Sequence, residues 1–477
     1  MRGAVIDAVV EWIDHSDTVP EPGEPGPFAL AMTASIGPKA IDMEETFQVI
    51  VCNSAWIPVA SCCVTTGACR RDDEQASMYA LVHKAALAIM LGATLIVGGC
   101  ALPHREPALT IAQSHQVLVL GIPNARFMPS DIAQLQQEFV SAAQREIDWR
   151  RDAGQTGPLP PAELLAVSGG GDDGAFGAGL LVGWTARGDR PAFKGVTGVS
   201  TGALTAPFAF LGPDYDPQLK AVYTETTARD IFKPRSALAA VFEDAMGDTT
   251  PLRQTVSRLL DNRMVRRIAE ESAQGRLLLI LTTTLDSGQE CIWNIGAIAA
   301  SGKPGARELI IQILMASSAI PAVFPPVMID LEVDGQHRQE MHVDGGIFAQ
   351  AFLYPPGINA AEAAKMAGSV GRRRDAYIIR NGRLLSAEAN VRRRTLPIAA
   401  RAASLMIANS GVNDMIRIYA TTQRDHVGYH LAYIDDNFAQ PYKGPFDQTY
   451  MRSLFQYGFE QALAGVEWKD KPPGWEQ

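Results

Sequence analysis

Two stretches of this chain share one grammar: an apolar run of strand length ends in a glycine turn and resumes at once as a helix. In "AELLAVSGGGDDGAFGAGLLVGWTARG" the strand is Leu164 to Val167, and the helix after the glycine loop runs through Arg187. In "FKGVTGVSTGALTAPFAFLG" the strand is Phe193 to Val199, Ser200 is the tip, and the helix runs through Leu211. Short uninterrupted apolar strands alternating with helices predict a sheet buried on both faces, an α/β architecture. The alternation continues downstream. "RLLLILTTTLDSGQECIWNIG" reads as a central strand and then an edge or hairpin strand, "GARELIIQILMASSAIP" as a helix, "RRRDAYIIRNGRLL" as a strand, and "TLPIAARAASLMIANSGVNDMIRIYATTQRD" and "FDQTYMRSLFQYGFEQALAG" as helices. Upstream, "QVLVLGI" reads as a strand, Asp131 to Arg151 as an amphipathic helix and "GQTGPLPP" as a turn-rich linker. The main domain is therefore expected over 162–465, after a 100–161 spacer and N-terminal strand and helix segment and before a 466–477 tail.

The two turns carry the chemistry. Gly169, Gly171 and Gly174 fit G-x-G-x-x-G in the strand, loop and helix setting of a dinucleotide site. Against that reading, Asp172 and Asp173 would face a pyrophosphate with like charge, and the next strand ends in a serine turn, not in the acid expected for a ribose. The other use of such a loop is electrostatic: backbone N–H groups converging at a helix N-terminus hold the oxyanion of an acyl-transfer intermediate. Ser200, between Gly198 and Gly202, fits the G-x-S-x-G elbow, where small neighbours allow a strained turn that lifts the hydroxyl out. The same residues also suit a tight turn without chemistry, and a serine needs a base to lose its proton. Asp344 in "EMHVDGGIFAQ" supplies one at a strand end. His426 and His430 follow it, so the chain order Ser, Asp, His of a hydrolase triad stays open. His342 shares a strand face with Asp344 and is a further candidate for support.

"GGGDDG", "GVSTG" and "DGG", in that order between Leu164 and Phe348, resemble the patatin-like phospholipases. The resemblance implies a three-layer α/β fold with a mostly parallel central sheet flanked by helices. It implies Ser200 as nucleophile and Asp344 as general base, a dyad without histidine, with Gly169, Gly170, Gly171 and Gly174 framing the oxyanion hole. The substrate class it implies is a lipid ester, cleaved through an acyl-enzyme to release fatty acid. No cofactor is implied, and no metal site is assigned, since no carboxylate cluster with calcium-loop spacing occurs. One departure is Asp173, where the family often has a basic residue. A weakly active lipoprotein acting as a binding or scaffold module is the competing expectation.

Ahead of this body lies a second kind of signal. From Met78, a basic Lys84 precedes an uncharged run from Ala85 to Gly99 and then Cys100, the layout of a secretory signal. The run is short for a membrane span, which needs about 20 apolar residues. "VGGC" resembles the lipobox of bacterial lipoproteins, which implies a signal peptide over 78–99, lipid on Cys100 and attachment to a membrane of the bacterial envelope. Ala101 provides no acidic inner-membrane retention cue, which points to the outer membrane. Residues 1–77 then read as an over-long start or a disordered extension, with Cys62, Cys63 and Cys69 leaving a small metal-binding segment open.

Charge bounds the partners. The formal net charge is -10, with 12 acidic against 5 basic residues among the first 99, so nucleic acid is not an expected partner. Arg372 to Arg374 and Arg392 to Arg394, with Arg380 and Arg383 between them, read either as a face for anionic headgroups or as a solvated surface. "AIPAVFPPVMI" reads either as an acyl-pocket wall or as core.

Overall fold

The chain's centre is a sheet whose strands are apolar on both faces. The computed structural model describes residues 105–235, 243–384 and 389–475, which belong to one unit; the signal-like stretch 78–99, Cys100 and the segment before them lie outside the described residues. Five strands run parallel: β2 (Ala162–Val167), β3 (Gly195–Val199), β4 (Leu277–Thr284), β8 (Arg374–Arg380) and β9 (Gly428–Tyr433), in the spatial order β4, β3, β2, β8, β9. Antiparallel partners extend the β4 side: β5 (Gln289–Asn294) pairs β4, β1 (Arg126–Phe127) pairs β5, and the hairpin of β6 (Val327–Val333) and β7 (Gln336–Asp344) joins β4 through β7.

Alternate residues feed two separate cores. Leu165, Val167, Val196, Leu278 and Ile280 join one apolar cluster, while Ala166, Val199, Leu279 and Leu281 join the other. A sheet buried on both faces needs helices on both, which makes three layers. The helices are α1 (Ile132–Asp152), α2 (Gly174–Arg187), α3 (Thr201–Leu211), α4 (Asp216–Thr224), α5 (Thr250–Leu259), α6 (Asn262–Ala273), α7 (Ala306–Ser317), α8 (Thr395–Arg424) and α9 (Gln448–Ala464), with several shorter ones between them. The α/β fold with a mostly parallel sheet flanked by helices is the one read from the sequence.

One reading is corrected. "QVLVLGI" is no strand: Val119–Gly121 form a single 3-10 turn, with Leu120 at φ 51° and Gly121 at φ 66°. Val119 and Ile122 anchor that turn in the core, so burial is achieved without a partner strand. Within 105–161, β1 extends the sheet and Glu146 of α1 holds Lys194 and Arg372. Residues 466–475 pack onto the body: Lys469 bridges Leu431, and Trp468 lies 5.1 Å from Trp184 between ring centroids.

Candidate active site

Strand register brings the serine and the aspartate together. One edge of β4 pairs with β5; the other pairs first with β3, ending at Val199 opposite Leu281, and then with β7, where Asp344 stands opposite Thr282. Where β3 stops, β7 takes over the same edge one residue further on. Ser200 and Asp344, the residues at that junction, are neighbours although 144 positions separate them in sequence.

Ser200 turns the chain sharply, at φ 56° and ψ -126°, before α3 begins. A non-glycine residue in that region is strained, and such strain concentrates at functional sites. Packing holds it there. The Ser200 N–H donates to Ser317 Oγ at 3.0 Å, and that hydroxyl donates to the Leu281 carbonyl at 2.7 Å. A Cβ on Gly202 would lie 2.2 Å from the Val167 carbonyl and 2.6 Å from that of Ser168, so the elbow admits only glycine behind the serine. Gly202→Ala is expected to cost about 1–3 kcal/mol by overpacking, measurable as a lower unfolding midpoint together with lost activity.

Asp344 is fully buried. Its Oδ1 accepts from the Gly346 N–H at 2.7 Å, whereas Oδ2 is buried without a formed hydrogen bond. Burial pushes the carboxyl up to about 6, opposed first by the Ser200 hydroxyl and then by the Gly346 N–H. A carboxylate so placed is a stronger base than an exposed one and has a hydroxyl to act on.

The glycine loop lies against the elbow: a Cβ on Gly169 would come 3.1 Å from Ser200 Cβ. Its four glycines are not equivalent. The Gly169 N–H donates to the Gln350 carbonyl at 2.8 Å, and the Gly174 N–H donates to the Gly171 carbonyl. Among the described residues those of Gly170 and Gly171 have no acceptor, so of the glycines expected to frame an oxyanion hole these two keep an unused donor. Asn381 fixes the loop from behind. Its N–H donates to Ser168 Oγ at 2.8 Å, its amide nitrogen to the Ser168 carbonyl at 2.9 Å, and its Oδ1 accepts from the Gly177 N–H at 3.0 Å. A Cβ on Gly170 would meet the Asn381 carbonyl at 2.2 Å.

The two acids of the loop face inward. Asp173 accepts from the Tyr450 hydroxyl at 2.6 Å, and Asp172 Oδ2 from the Phe446 N–H at 3.0 Å. Burial, then the charge of Asp173, pushes Asp172 up to about 7. Their carboxylates thereby tie the loop to α9 and the segment before it.

From the loop an apolar cavity opens, with about 700 Å³ of empty space, part of it continuous with solvent. Gly171, Asp172 and Thr201 form its wall beside the serine turn; Leu204 and Phe208 of α3, Leu252 and Val256 of α5, Met264 of α6 and Leu314 of α7 are among the rest. "AIPAVFPPVMI" does not line it, and Phe324 there is core instead.

The histidines lie elsewhere. His430 aligns with Tyr377, which aligns with Leu165, which aligns with Val196, so it sits three strands away and four residues short of the serine's level. Its ring bonds Asp375 at 2.9 Å and stacks on Tyr377. His426 precedes β9 at the opposite end of the sheet and is exposed. The Ser, Asp, His triad has no geometry here. His342 is committed to Thr282 Oγ1 at 3.0 Å and Glu340 Oε2 at 3.2 Å, and so supports neither Asp344 nor Ser200. Of the first arginine run, Arg372 forms a double ion pair with Glu146 and Arg374 bonds the Ala360 carbonyl; Arg380, between the two runs, is buried.

Ser317, Gln350 and Asn381 escaped sequence reading because polar residues of these types carry no motif. The only signal, the small-residue run "MASSAIP", gives no sign of which serine meets the elbow.

Residues 165–354 match the family of patatin-like phospholipases. Among solved structures, VipD from Legionella pneumophila aligns at 13% identity over 64% of this chain and 67% of its own, with a TM-score of 0.30. Human GIVD cytosolic phospholipase A2 aligns at 12% identity over 55% of this chain, with a TM-score of 0.26, and about half of its own length, 49%, is covered. No curated protein matches the sequence.

Proposed function

We propose that this chain, which carries a patatin-like phospholipase domain over residues 165–354, is a serine lipid acyl hydrolase of the phospholipase A or esterase type. The observation that carries the proposal is the junction on the β4 edge, where Asp344 meets a strained Ser200 beside an apolar cavity.

In the proposed reaction Ser200 Oγ attacks the ester carbonyl carbon and its proton passes to Asp344. The N–H groups of Gly170 and Gly171 hold the oxyanion; losing one such donor typically costs about 2.7–4 kcal/mol of transition-state stabilisation. As the intermediate collapses, the alcohol leaves with the proton and the acyl group stays on Ser200. Asp344 then takes a proton from water, the hydroxide attacks the acyl-enzyme, fatty acid departs, and Ser200 regains its proton. The acyl chain lies in the cavity lined by Leu204 and Leu252. No histidine and no cofactor enters these steps.

The proposal is tested by fatty-acid release from a panel of phospholipids and neutral lipid esters, with Ser200→Ala in parallel. Release by the parent alone supports it; no release from any ester by the folded parent leaves the scaffold lipoprotein as the better account. Two further results are expected. Because the base works only when ionised, kcat/KM should rise with pH and level off above about 6, the value to which burial pushes Asp344. A pH–rate profile on a soluble ester checks this. Leu204→Trp, which fills the cavity one turn after the nucleophile, should lower kcat/KM for long-chain esters at least about tenfold while sparing butyrate.

From the sequence we also propose that Cys100 carries the lipid that holds the protein at a bacterial envelope membrane, the outer one. Labelled palmitate incorporated by the parent and lost in Cys100→Ser is the expected result.

A further inference from the structure

Helix α8 is too long for the place it occupies. It has 30 residues, about 45 Å, whereas the strands it connects, β8 and β9, have 7 and 6, about 20 Å. Since β8 and β9 are parallel, the helix between them runs antiparallel to both, and its surplus N-terminal half extends past the carboxyl ends of the strands. That edge carries Ser200 after β3 and the glycine loop after β2.

The two halves differ in composition and burial. Met415, Ile418 and Thr422 in the second half are buried. The first half, Leu396 to Gly411, has a single charged residue, Arg401, yet Ile398 is 50% exposed and Met406 69%. Leaving apolar side chains of a helix in water is unfavourable unless something covers them. Immediately ahead stand Arg393 and Arg394, both exposed. Cations are disfavoured at a helix N-terminus, and Arg394 makes no side-chain cap there, so stability of the helix does not account for them. An anionic partner does. Ile347 and Phe348, about half exposed, follow the Asp344-Gly345-Gly346 turn, and the Gln350 N–H after them donates to Asp414 Oδ2 of α8 at 2.6 Å.

We propose that the projecting half of α8, with Arg393 and Arg394, is the surface by which this protein docks on an anionic lipid bilayer. The arginines meet the headgroups, Ile398 and Met406 enter the interface, and the strand edge bearing Ser200 is turned toward the lipid. What docking delivers rests on the acyl hydrolase reading; the docking itself does not.

The test uses the full chain with Cys100→Ser and Ser200→Ala, which removes lipidation and turnover, and cosedimentation with vesicles. Binding should be tighter to mixed phosphatidylglycerol and phosphatidylcholine than to phosphatidylcholine alone, and should weaken with salt. Replacing Arg393 and Arg394 with glutamine should weaken binding to the anionic vesicles by about 25-fold, about fivefold per arginine. Ile398→Asp with Met406→Asp should weaken binding to both vesicle types. With Ser200 restored, all these variants should hydrolyse a soluble short-chain ester like the parent and lose activity only on vesicles. Binding unchanged by either set of substitutions overturns the proposal. So does a dimer that the aspartates dissociate, which would assign the face to a second copy of the chain. Failure to hydrolyse the soluble ester, with vesicle binding intact, sinks the hydrolase reading and leaves the docking surface standing.

Discussion

Ser200→Ala should lower hydrolysis of a soluble ester by about 10⁴ to 10⁶-fold while the fold survives. The magnitude follows from removing a nucleophile, after which the oxyanion donors and binding alone remain. Survival follows from how the turn is held. Ser200 is fixed by its backbone N–H on Ser317 and by close packing behind Gly202, and neither contact involves Oγ. Initial rates paired with thermal unfolding separate the two outcomes, and an unfolding midpoint that drops sharply would mean the hydroxyl is a structural part of the elbow.

Asp344→Asn should cost about 10² to 10⁴ in kcat, the usual contribution of a positioned base. Asparagine keeps the acceptor for the Gly346 N–H and loses the charge. The same change has a predictable thermal signature. Burial raises the carboxyl from the ordinary 3.8 to about 6, so the folded protein binds a proton that the unfolded chain has released between these values. Stability of the parent therefore falls as pH rises from about 4 to about 6 and is flat above. The carboxamide of the Asp344→Asn variant does not titrate, so the variant should be more stable than the parent at neutral pH, with the gap closing below about pH 4. Unfolding midpoints across that range check the sign. A variant that loses activity and stability together at neutral pH contradicts it. His430→Ala, by contrast, should leave kcat/KM unchanged, since its ring serves Asp375.

Sequence was most informative where the chemistry is local. The glycine loop and the elbow are contiguous strings; Gly170, Gly174, Gly198 and Gly202 are required by close approaches, and Gly171 by its φ of 60°. Asp344 was legible through its turn, but the reason it meets Ser200 is the handover of the β4 edge from β3 to β7, which no local pattern encodes. The histidines failed for the same reason: chain order is compatible with a triad, and only register puts His430 three strands away. Which loop glycines keep unused donors was hidden too, because one acceptor is the distant Gln350 carbonyl. The apolar run "QVLVLGI" misled because a buried 3-10 turn and a short strand look alike over seven residues. The length of α8 was visible in its patterning, whereas its overhang depended on knowing how short β8 and β9 are.

The central claim is that Ser200 is a nucleophile activated by Asp344. Its most direct test is labelling of the folded full chain with a fluorophosphonate, with the adduct mapped by mass spectrometry in the parent, Ser200→Ala and Asp344→Asn. The account predicts an adduct on Ser200 in the parent that is absent from Ser200→Ala and strongly reduced in Asp344→Asn. An unlabelled parent, or labelling of Ser200 undiminished by Asp344→Asn, would contradict it.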